Sequence, residues 1–184
     1  MFETAELLGP TEKSIIVQTR KGTNIKNTVE PEPGFRERRR YQAVFDKFGN
    51  NWGERKTATG VYNCAGHVWA SRRASLHDPK QWRVILADDG YRLLPQGEDP
   101  FPADLVLYVN EEDNEILHVG QILELRKGLT TNSSRKPWVL SKLDDQSGEV
   151  MHWVEDVLYG KQGFSFKIEY WTDRAIERET HHER

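Results

Sequence analysis

The chain has 184 residues, of which 36% are apolar, with a further 14 glycines, close to the make-up of an ordinary globular domain. Its 26 Lys+Arg stand against 29 Asp+Glu, a net charge of −3, so no overall field draws the chain to nucleic acid or to an anionic membrane. A single Cys excludes an intramolecular disulfide framework and any site built from several thiolates.

The first ten residues carry Glu3 and Glu6 and no apolar core, unlike a secretory signal. No segment approaches the ~18 apolar residues of a membrane helix. The expected location is cytoplasmic, or outside by export without a standard signal peptide. Residues 14–19 form a β-branched run that predicts a strand, and 22–34 hold the Gly, Asn and Pro of a long loop. The basic run Arg36–Arg40 is interrupted by Glu37 and adjoins a short helix marked by Tyr41, Val44, Phe45 and Phe48, which favours a solvated helix face over a phosphate-binding patch. Residues 49–60 return to loop. Ala65, Val68 and Trp69 then recur at helical spacing and predict a helix from Cys64 with Asn63 as N-cap.

A second helix is predicted over Asp78–Asp88, ended by Asp89-Gly90. Strands follow at Leu105–Val109, within Glu115–Leu125, at Trp138–Leu143 and at Glu149–Val154, with an edge strand at Phe164–Trp171. Gly128–Lys136 is a polar loop, and Asp173–Arg184 is a polar tail free to fray. Helices in the first half and strands in the second predict an α+β domain with a helix packed on an antiparallel sheet. The whole chain is one domain: a core at about 58–160, an N-terminal extension over 1–57 and the tail.

Cys64 is the chemically suggestive residue, because free amides and the macrodipole at a helix start favour a thiolate. A lone Cys also serves as a small buried hydrophobe. His118, polar within the apolar Ile116–Gly120, suits either the imidazole of a Cys–His pair or a core histidine. His67, three residues after Cys64, shares its helix face; a surface or second-layer residue is favoured over a competing proton acceptor or a metal ligand. A zinc site from Cys64, His67, His118 and His152 is a further option, weakened by the lack of a second compact pair.

Tyr62-Asn63-Cys64-Ala65-Gly66, Pro102-Ala103-Asp104-Leu105-Val106 and His118-Val119-Gly120-Gln121-Ile122 resemble, in order, the blocks of the NlpC-type papain-like cysteine peptidases and amidases. Ala70-Ser71-Arg72-Arg73 and Leu140-Ser141-Lys142, with a downstream His, bring the resemblance closer to an uncharacterised bacterial branch. The pattern is departed from at Ala103, where Gly is usual, and at His67, where an apolar residue is usual.

The resemblance implies a papain-like fold and a thioacyl mechanism on a peptide or amide substrate, with no cofactor and no metal. Cys64 would be the nucleophile and His118 its base. His152 is preferred as the third residue over Ser141, Asp144 or Asp145. Tyr62, Trp69 and Ser141 would line the substrate site, although Trp69 also suits core packing. Deamidases, acyltransferases and toxin effectors use the same pair, and a binding module that has lost turnover is the non-enzymatic alternative.

Overall fold

A computed structural model describes residues 13–127, 135–158, 163 and 165–175. In chain order the elements are α1 (Phe35–Phe48), β1 (Gly53–Lys56), α2 (Cys64–Trp69), α3 (Pro79–Asp88), β2 (Arg92–Leu93) and β3 (Leu105–Asn110), followed by β4 (Ile116–Lys127), β5 (Arg135–Lys142), β6 (Glu149–Trp153) and β7 (Phe166–Thr172). The strands make one seven-stranded sheet in the order β1-β6-β5-β4-β3-β7-β2, and every pairing in it is antiparallel. The architecture is α+β.

Alternation along the central strands gives the sheet two apolar faces. Leu105, Leu107 and Val109 of β3 and Val119 of β4 pack with Cys64 and Ala65 of α2 and with Trp82, Ile85 and Leu86 of α3. Val106 and Tyr108, the residues between, turn to the opposite face with Ile122, Val139, Val154 and Val157. Tyr41 of α1 closes a third cluster with Trp52, Ala58, Leu143 and Val150. Two helix starts follow the sequence directly. The Asn63 side chain caps α2 by accepting from the Gly66 amide, and Asp78 caps α3 by accepting from the Lys80 amide ahead of Pro79 at the first helical position.

Four expectations are corrected. Residues 14–19 form an isolated bridge between Gln18 and Asn24 instead of a strand, because the turn at Gly22 folds the segment back on itself after a few residues. The first helix is longer than Tyr41 to Phe48 and takes in the basic run, since Arg is a good helix former and residues 34–40 are exposed all round. Residues 53–56, expected as loop, pair with β6 as an edge strand. The strand expected at the edge, β7, lies inside the sheet, covered on its outer side by the two-residue β2. The sheet thus draws strands from before residue 58 and from after residue 160. Most of the polar loop at 128–136 and of the tail at 173–184 lies outside the described residues. No helix among the described residues is long and apolar enough to cross a membrane.

Candidate active site at the start of α2

Asn63 fixes the first turn of α2 from both ends of its amide. Its Oδ1 accepts from Gly66 N at 2.9 Å and Leu76 N at 3.1 Å, and its Nδ2 donates to Leu76 O at 2.8 Å. Gly66 lets that turn sit tightly, since a Cβ there would fall 1.8 Å from Ala74 O. Cys64 therefore stands at a rigid helix start, 8% exposed. Burial pushes its thiol up to about 11; the Val119 and Ala65 amides and the Lys142 ammonium pull the other way, too weakly to offset it. The Val119 amide is near enough to the sulfur to act on its pKa, so Cys64 sits by the peptide that joins His118 to Val119. This is the stretch of β4 beyond Gly120, where the pairing with β5 ends.

The expected thiol–imidazole pair is not formed. His118 lies opposite Tyr108 in the register, and the two rings pack at 5.6 Å between centroids. Its ring is on the face of Val106 and Tyr108, whereas Val119, its neighbour in the strand, faces α2. Among the described residues no hydrogen bond joins Cys64 to an imidazole. Burial lowers the His118 pKa to about 3, with the nearby His152 and His67 adding to the effect, so the ring is neutral at physiological pH and unsuited to an ion pair with a thiolate.

His152 does not orient His118 either. Its Nδ1 lies 2.8 Å from the Trp153 carbonyl and must donate to it, which leaves Nε2 to accept from Ser141 Oγ at 2.8 Å. Both nitrogens are committed. Of the three residues expected to line a substrate site, two are inside the protein, Tyr62 at 1% and Ser141 at 0% exposure, and Trp69 is half-buried. Trp69 packs on Trp82 in the helix-side core, with centroids 6.2 Å apart. The four zinc-ligand candidates do not converge, and among the described residues no group of three or more His, Cys, Asp or Glu is placed to hold a metal ion.

The structure assembles a different set around α2. Glu149, at the start of β6, is 1% exposed. Its Oε1 accepts from Tyr62 Oη at 2.6 Å, Arg72 Nε at 2.6 Å and His67 Nδ1 at 3.1 Å, while Arg55 Nη1 donates to Oε2 at 2.8 Å. These bonds hold the Glu149 carboxyl well below the usual carboxylate range against the cost of burial. A carboxylate accepts only, so His67 Nδ1 donates to it, and in the neutral ring this leaves the lone pair on Nε2. Lys142, opposite Glu149 in the register, is fully buried. Its ammonium donates to the Asp144 carbonyl and, at 3.0 Å, to the Asp145 carbonyl, and burial brings its pKa down to about 8.

Glu149 and Lys142 lie outside the candidate site residues that the sequence motifs offer. Their signal was a charged residue inside or beside an apolar strand. Lys142 and Arg72 also fall within two of the blocks quoted for the family resemblance. No family model, no curated protein and no solved structure matches the chain.

Proposed function

We propose that the chain is a cysteine-dependent hydrolase of amide or peptide bonds, papain-like in its architecture, with Cys64 as nucleophile and His67 as base in place of His118. One observation carries this reading. On the helix that begins with Cys64, Glu149 holds His67 in the tautomer whose Nε2 accepts a proton, the arrangement of a base with its positioning residue. The order of the sequence blocks and the two amides turned toward the sulfur support it further.

With the thiol pushed up to about 11, the proton leaves during attack and not before it. Nε2 takes the proton as sulfur bonds to the carbonyl carbon. The imidazolium then protonates the amine as the C–N bond breaks. Water, deprotonated by the same nitrogen, adds to the thioester; the C–S bond breaks and the proton returns to sulfur. An acceptor other than water would make the same intermediate serve acyl transfer, and a side-chain carboxamide as substrate would make the reaction a deamidation.

The test is the rate of Cys64 alkylation by iodoacetamide in the folded protein at pH 7.5. Cys64→Ala should abolish labelling, His67→Gln should slow it at least about ten-fold and His118→Gln should leave it within about two-fold, with melting temperatures showing that each variant folds. Equal rates in wild type and His67→Gln refute the assignment of the base.

A second reading, a non-catalytic binding module, is favoured by one observation: the sulfur lies within an apolar cluster with Ala65 and Val119. It predicts that wild-type Cys64 is labelled only after unfolding.

A further inference from the structure

The outer edge of the Glu149 network carries more positive than negative charge. Arg55 and Arg72 both bind this one carboxylate, and their side chains are 49% and 36% exposed against 1% for Glu149. Among the described residues neither guanidinium has a second carboxylate within 4.0 Å. The Lys142 ammonium acts on Glu149 as well, and Asp144 and Asp145 are the other acidic groups that face it. Lys56 adds a further cation, its Nζ 5.1 Å from the Tyr62 ring centroid. One buried carboxylate thus answers two guanidiniums that each place an edge at the surface.

A guanidinium has five N–H donors in a fixed fork. Arg72 spends Nε on Glu149 and Arg55 spends Nη1, and no described side chain takes the other donors of Arg72. The two guanidiniums thus meet at a single carboxylate, one at each of its oxygens. The backbone that presents Arg72 is unusual: Ser71 and Arg72 are consecutive non-glycine residues with φ of 50° and 63°, a left-handed conformation that L residues avoid. It is held by Arg72 N–H donating to Gly66 O at 3.0 Å. The chain thus accepts backbone strain directly after α2 to bring this guanidinium to Glu149 with its other edge outward.

We propose that Arg55 and Arg72 form a binding site for an oxyanion, the carboxylate or phosphate group of a ligand, with Glu149 as the internal strut that fixes both forks. The proposal goes beyond the hydrolase reading and stands whether or not Cys64 turns over.

It is tested by NMR on the full chain, following arginine Nε–Hε signals while sodium phosphate, and separately sodium acetate, replaces sodium chloride at constant ionic strength. The expected result is a saturable shift of the Arg55 and Arg72 signals. Arg55→Gln should weaken the affinity at least ten-fold, and Arg55→Lys, which keeps the charge and loses the fork, should fall between. Saturation by phosphate alone identifies a phosphate ligand, and saturation by acetate alone a carboxylate. Shifts that do not saturate with either anion overturn the proposal, as does an equal shift of Arg126, an exposed arginine paired with Glu124. So does unchanged affinity in Arg55→Gln.

Discussion

Asn63 holds three backbone groups with one amide, two donors and one acceptor. Asn63→Ala removes the cap and leaves the buried Leu76 amide without its acceptor, while the Leu76 carbonyl keeps the Trp82 indole N–H, so the expected loss is about 1–3 kcal/mol in urea unfolding; a loss below a few tenths would contradict the role. Cys64 and Lys142 pull stability in opposite directions as pH rises. The thiol is raised to about 11 in the folded chain from about 8.5 unfolded, so its contribution is complete below about 8.5 and is lost as pH climbs toward 11. Lys142 is lowered to about 8 from about 10.4 unfolded, so its contribution appears as pH rises from about 8 to 10.4 and is lost as pH falls through 8. Cys64→Ala removes only the first. The stability of the variant relative to wild type should therefore rise between pH 8.5 and 10.5 in denaturant titrations, and a flat difference would count against the buried thiol. At this scale Asn63 and Cys64 were legible, because capping and helix periodicity are local. The partner of the thiol was not, since which side of a strand faces a helix is set by register with β3, which the local pattern around His118 does not contain.

Among the elements, α2 shows how a six-residue helix can hold one fixed place. Its Gly66 faces the Ala74 carbonyl at a distance that admits no side chain, and a Cβ would also lie 3.0 Å from Tyr62 Cβ. Gly66→Ala should cost roughly 3 kcal/mol or more through overpacking and should free the α2 start from β4. The measurement is a melting curve paired with Cys64 alkylation, and a near-native melt with unchanged labelling would argue that the contact yields. The parting of β4 and β5 at Gly120 explains why one end of β4 meets α2 while its other end runs on with β5 to Lys127. The sequence marked both strands through their apolar runs. It concealed β1, a short strand of mostly polar residues, Gly53-Glu54-Arg55-Lys56, whose place depends on β6 and not on its own composition.

At the scale of the molecule, the seven strands among the described residues share one sheet whose central side chains are shut off from solvent. Val106, Leu107, Val119 and Val139 are all at 0% exposure, whereas β1 and β2 at the two edges are short and half open. Hydrogen exchange should be slowest in β3, β4 and β5 and fastest in β1 and β2; protection of β1 equal to that of β3 would show a more uniform sheet. The α+β class followed from the order of helical and strand patterns, but the strand order did not, because β7 reaches β3 across more than fifty residues of chain. That topology decides which face of the sheet each histidine joins: His118 goes with Tyr108, and His67, on α2, with Glu149. The most direct test is an NMR titration of the histidine rings from pH 3 to 9, with thiolate absorbance followed in parallel. The account predicts that His118 stays neutral down to about pH 4, with a midpoint near the value of about 3 set by its burial. A His118 midpoint above about 7 that moves together with ionisation of Cys64, the behaviour of a thiolate–imidazolium pair, would contradict it.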